Sequence, residues 1–117
     1  MLKVYLYARC STCKNATKWL KKHSIDFEEL PIVDQPPSRE ELLQMLEAYE
    51  GNIRRLFNTS GMDYRALGLK DKLPELTQDE ALDLLLGNGK LVKRPFLISD
   101  KFKAVGFRIP EWEKGLL

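Results

Sequence analysis

The stretch "VYLYARCSTCKNATKWLKKH", residues 4–23, constrains the fold more than any other part of the chain. Leu2 to Tyr7 alternates, with Leu2, Val4 and Leu6 on one face and β-formers between them, so a strand is expected there. From Ser11 to about His23 the period changes. Cys13, Ala16, Thr17 and Leu20 share a helical face, while Lys14, Lys18, Lys21 and Lys22 take the wet side. Ile25 to Ile32 is extended again, bounded by "DQPPS". Two parallel strands across a helix form a βαβ unit, whose crossover is right-handed in nearly all sheets.

The middle of the chain reads as helical. Ser38 with Glu41, and Thr77 with Glu80, are capping boxes opening onto Leu42, Met45, Leu46 and Tyr49, and onto Ala81, Leu82 and Leu85. Gly87 to Gly89 is expected to stop the second helix. Between them the sequence predicts a short helix around Ile53 to Phe57, then a loop with further short turns. Strands are expected at Pro95 to Ile98 and Lys103 to Phe107 as a hairpin, and a last helix carries Pro110, Trp112 and Leu116. The order βαβ, helices, ββα is an α/β, thioredoxin-like layout with a mixed sheet. It places a core in residues 1–34 and 90–117 and a helical insertion in 35–89, all within one domain of 117 residues.

Charge narrows the function. Nineteen Lys and Arg against 17 Asp and Glu leave a formal charge of +2, short of the basic excess of a dedicated nucleic-acid domain. No apolar run approaches the ~20 residues of a membrane span, and a cytoplasmic protein is expected. Thiols stay reduced there, so a C-x-x-C pair points to redox or metal chemistry rather than a staple. Zinc would need further ligands, and the one histidine, His23, is better placed as a partner for a helix C-terminus.

Cys10 stands where strand hands over to helix. Unpaired N–H groups and the helix dipole favour a thiolate there, with Arg9 and Lys14 adding charge and Ser11 and Thr12 supplying donors or a cap. Cys10 is then expected to be the nucleophile and Cys13, one turn on and more buried, the resolving thiol, the competing reading being two inert core cysteines. In "KRPFLI", Pro95 stands where thioredoxin-like folds carry a cis proline at the start of the third strand, which implies a cis Pro95 facing Cys10. Arg94 would bring a planar fork suited to an oxyanion or carboxylate. Arg54, Arg55 and Arg108 are further candidates for anion binding. Trp19 and Trp112 read as packing residues.

With "YLYARCSTCKNA", "PPSREEL", "LFNTSGMDYRALGLKDKL" and "LVKRPFLI" followed by "VGFR" assembled, the chain resembles the ArsC/Spx family of thioredoxin-like proteins over essentially its whole length. The resemblance implies a thioredoxin-like fold with an inserted helical subdomain. For members that look like arsenate reductases it implies a nucleophile at Cys10 among three arginines. Arg94 matches one of these. Asn58 stands where a second is expected after "LF", and Phe107 where the third is expected, with Arg108 one residue on. Arsenate is therefore expected to be a poor substrate. The implied activity is a thiol-linked reductase of a small oxyanion or disulfide. It would carry no bound cofactor and draw electrons from glutathione, glutaredoxin or a thioredoxin-type donor. The C-x-x-C pair is also similar to the redox switch of the Spx branch, which implies the RNA polymerase α-subunit as an alternative partner. Spx-like regulators usually carry a longer polar C-terminal extension, whereas this chain stops at Leu117.

Overall fold

A computed structural model describes residues 1–117. Strand β1 (Leu2–Leu6) lies at the centre of a four-stranded sheet ordered β2-β1-β3-β4. It pairs in parallel with β2 (Phe27–Pro31), in register from Leu2 with Phe27 to Leu6 with Pro31. On its other edge it pairs antiparallel with β3 (Phe96–Ile98), Tyr5 opposite Phe96, and β3 turns back to β4 (Lys103–Val105). Helix α1 (Ser11–Lys22) connects the two parallel strands.

Alternation along β1 divides the core in two. Leu2, Val4 and Leu6 point to one face, where Cys13, Ala16 and Leu20 of α1, Leu97 and Trp112 cover them. Tyr5 points to the other face with Phe96, Ile98 and Val105, beneath the helices of the middle segment. Those helices are α2 (Arg39–Ala48), the short α3 (Met62–Ala66) and α4 (Leu69–Lys72), and α5 (Gln78–Gly87). Both capping boxes form: Ser38 and Thr77 accept from the N–H groups of Glu41 and Glu80, whose carboxylates accept in return. Helix α6 (Ile109–Leu116) closes the chain and buries Trp112 under the sheet. No helix is long and apolar enough to cross a membrane.

Several strand boundaries differ from the sequence reading: β2 spans Phe27–Pro31 rather than Ile25–Ile32, and β3 begins at Phe96 rather than Pro95. β1 ends at Leu6, so Tyr7 belongs to the loop before α1. β4 ends at Val105 because Gly106 turns to φ +79°, a conformation that favours glycine. Helix α5 ends within the expected Gly87–Gly89 stretch, with Gly87 as its last residue. Its C-cap, Asn88, is extended (φ −153°), accepts from Lys90 N–H at 3.0 Å and donates to Asp63 at 2.8 Å.

The middle segment is tied to the sheet beside the start of α1. A 3₁₀ turn, Ile53–Leu56, leads to an antiparallel bridge between Phe57 and Val92. Lys93 N–H donates to Leu56 O at 2.8 Å and Asn58 N–H to Leu91 O at 2.7 Å. This short ladder brings the turn at Arg55 and Asn58 to the edge of the Cys10 loop.

Candidate active site

Cys10 is the N-cap of α1. Its own sulfur accepts the Cys13 N–H at 3.4 Å, so the thiol rather than Ser11 or Thr12 caps the helix. Cys10 is half-buried and Cys13 buried, both as free thiols. Partial burial alone would raise the Cys10 pKa. Hydrogen bonds from the Cys13 thiol and backbone N–H, and then the Arg94 guanidinium, outweigh it and hold the thiol below its usual value. Cys13 goes the other way. Burial, reinforced by the neighbouring Cys10, pushes its pKa up to about 12. The pair is thus split into an ionisable outer sulfur and a protonated inner one.

Arg94 is held on two sides. Its guanidinium carbon lies 4.7 Å from the Tyr7 ring centroid, and Nη1 donates to Lys90 O at 3.2 Å. The Arg94–Pro95 peptide is cis, as the sequence reading expects, and Pro95 is buried.

A cavity of about 530 Å³ opens over the Cys10 sulfur. Arg55, Lys93, Arg94 and Arg108 line it together with Cys10, Thr12, Asn58, Ser60, Phe107 and backbone at Gly106, and no carboxylate is among the lining residues. Arg55 stacks on Tyr49, 4.6 Å from the ring centroid, and Arg108 is paired with Glu111 at 3.3 Å. The cavity is therefore built to receive negative charge beside the Cys10 sulfur.

Several sequence candidates fall outside it. Arg9 and Ser11 are exposed and do not line the cavity. Lys14 faces a separate hollow between α1 and β2, so neither Arg9 nor Lys14 is among the groups that lower Cys10. Arg54 lines another hollow with Tyr64, Lys70 and Pro74. The reason is the 3₁₀ turn. At about 120° per residue, adjacent side chains diverge, and with Leu56 buried Arg54 and Arg55 face different hollows. Thr12, Asn58, Arg94 and Arg108 are brought together as expected, and Arg55 takes the place assigned to Arg54. Lys93 and Tyr7 were missed. Lys93 precedes Arg94 in the same segment, with its Cε over Gly106, and only that adjacency marked it.

The ArsC family model matches residues 5–114. The uncharacterized protein YusI of Bacillus subtilis (strain 168) is 42% identical over 114 residues, 97% of each chain. The global transcriptional regulator Spx of Streptococcus pyogenes serotype M1 is 31% identical over 111 residues, 95% of this chain and 81% of its own. Among solved structures, an ArsC family related protein from Bacteroides fragilis superposes with a TM-score of 0.91 at 42% identity, over 97% of this chain and 95% of that one. A possible arsenate reductase from Streptococcus mutans UA159 gives 0.85 at 41% identity over 92% of each. With the family pattern running from β1 into α6 and the same sheet beneath it, this chain belongs to the ArsC family of thioredoxin-like proteins.

Proposed function

We propose that the protein is a thiol-dependent reductase that acts on an anionic disulfide or small oxyanion through Cys10. The observation that carries this reading is the split pair: an outer sulfur that is lowered by Cys13 and Arg94 and accepts the Cys13 backbone N–H at 3.4 Å, and a buried inner thiol one turn away. With a disulfide substrate, the Cys10 thiolate attacks one sulfur, the substrate S–S bond breaks, and one thiolate leaves. Conversion of Cys10 to a mixed disulfide removes the negative charge that helps keep Cys13 protonated. Cys13 then gives its proton to solvent or to the leaving group and attacks the Cys10 sulfur. The second substrate thiolate departs and a Cys10–Cys13 disulfide remains. Two electrons pass from the protein to the substrate, and a glutathione- or thioredoxin-class thiol donor in a reducing compartment returns them. The cations of the cavity hold the substrate's negative charge, and among them Arg94 is the one that also lowers the Cys10 thiol. An oxyanion would meet the same nucleophile and the same guanidinium. Asn58 and Phe107, neither of them a cation, line the cavity, so arsenate is a poorer substrate than a charged disulfide.

Turnover of a glutathione-type disulfide and of arsenate, each with glutathione or a thioredoxin system, tests this. Cys10→Ser abolishes turnover, because the covalent intermediate has nowhere to form. Cys13→Ser accumulates the mixed disulfide, visible as added mass on Cys10, and Arg94→Lys slows the reaction. The relatives named as regulators support a second reading, in which the same pair is a switch governing capture of the RNA polymerase α-subunit. Redox-dependent capture with no turnover for any donor and substrate pair would favour that reading and overturn the first.

A further inference from the structure

We propose that Tyr7 is a positioning residue, whose aromatic face fixes the plane of the Arg94 guanidinium so that its free edge meets the Cys10 sulfur. The inference rests on the reading of Cys10 as the nucleophile and adds a residue that acts only through another.

Three contacts converge on Tyr7. Its ring lies under Arg94 at 4.7 Å. Its carbonyl accepts the Cys10 N–H at 3.0 Å, and its side chain packs against the core cluster that contains Cys13. One residue therefore contacts the nucleophile, the cation and the core around the inner thiol. The geometry explains why the ring is needed. A guanidinium is flat and carries five donors in fixed directions. The Lys90 carbonyl engages one of them, Nη1, at 3.2 Å. A single hydrogen bond leaves the plane free to rotate about that contact. Stacking on an aromatic face removes the rotation and leaves the remaining donors free toward the cavity that Arg94 and Cys10 line together. Tyr7 is held still for this task, since it is half-buried where the two halves of the core meet. Arg55 on Tyr49 repeats the device at the far wall of the same cavity.

The test follows Cys10 alkylation by iodoacetamide against pH in the full chain, read by peptide mass spectrometry so that Cys13 does not contribute. Tyr7→Phe keeps the ring and leaves the midpoint in place. Tyr7→Leu raises the midpoint and slows alkylation at neutral pH by about threefold to tenfold, the scale of a partly desolvated cation–π contact. Tyr7→Leu also disturbs packing, so phenylalanines of increasing fluorination are placed at position 7. They weaken the ring's negative face at nearly constant shape, and the midpoint climbs stepwise along the series. In an Arg94→Met background the steps vanish. A flat series, or steps that survive Arg94→Met, overturns the inference. So does Tyr7→Phe matching Tyr7→Leu, which would assign the effect to the hydroxyl. A flat series around a wild-type midpoint that is still low defeats the Tyr7 inference alone. A wild-type midpoint at or above the ordinary thiol value of about 8.5 defeats the nucleophile reading and this inference together.

Discussion

Cys10 and Cys13 have the same side chain and lie three residues apart, yet their acidities move in opposite directions. The cause is asymmetry of environment: Cys10 receives hydrogen bonds from Cys13 and a guanidinium, whereas Cys13 is buried and faces a sulfur that prefers to be negative. Removing the inner thiol should therefore disarm the outer one. In Cys13→Ala the Cys10 sulfur keeps the backbone N–H and Arg94 but loses the thiol donor, so its alkylation midpoint rises. A midpoint that stays or falls would show that burial, not hydrogen bonding, governs Cys10. The residue scale also explains why position 106 suits glycine: its φ of +79° ends β4 and turns the chain toward Phe107 and Arg108 at the cavity.

Glu41 works between elements. Its carboxylate completes the α2 capping box at Ser38 N–H (3.0 Å), accepts the Tyr5 hydroxyl of β1 at 2.6 Å and pairs with Lys3 at 3.4 Å. Burial opposes its charge. The Tyr5 hydroxyl, the Ser38 N–H and Lys3 outweigh that cost and hold its pKa below the usual carboxylate value, while burial and the same carboxylate raise Tyr5. A carboxyl with a depressed folded-state pKa contributes stability above its unfolded pKa, about 4.3, and loses it as pH falls through the lower folded value. Glu41→Gln should cost about 1–2 kcal/mol at neutral pH, the scale of a hydrogen bond to a charged group. In urea melts, the gap between variant and wild type should narrow as pH drops from about 5 towards 3. A gap that does not change with pH would mean that the charge of Glu41 is not what joins β1 to α2.

For the molecule as a whole, the middle segment must close onto the sheet for the cavity to exist, and the tightest point of closure is Gly89. A Cβ there would collide with the Ile32 carbonyl and approach Val33 Cα to 2.8 Å, both of them backbone. A Cβ at Gly87, two residues earlier, would meet open space. Gly89→Ala should therefore destabilise by about 2–3 kcal/mol or more, since backbone cannot move aside as a side chain can. Gly87→Ala should be neutral or stabilise by up to about 1 kcal/mol. Chemical denaturation of both variants makes the comparison. Gly89→Ala should also slow any Cys10 chemistry, because Leu91, Val92 and Lys93 follow directly and hold the bridge to Phe57 and Asn58. Equal stabilities for the two variants would contradict this account of the closure.

Much was legible in the sequence because it is local. The period of two in Leu2, Val4 and Leu6, the period of 3.6 in Cys13, Ala16 and Leu20, and the two capping boxes each concern residues within one turn or one strand of each other. Cys10 at the head of α1 and Arg94 before Pro95 followed from the same elements. The membership of the cavity did not. Arg54 and Arg55 are indistinguishable by composition, and the choice between them rests on a 3₁₀ turn docked through Leu56 and Phe57. Arg9 and Lys14 are neighbours of the cysteines in sequence, yet point elsewhere once α1 lies against the sheet. Sequence distance fixed which residues could share a helix face. Desolvation, the stacking of Arg94 on Tyr7 and the gathering of cations along one cavity arise only when the two halves of the core close, because each needs atoms from segments far apart in the chain.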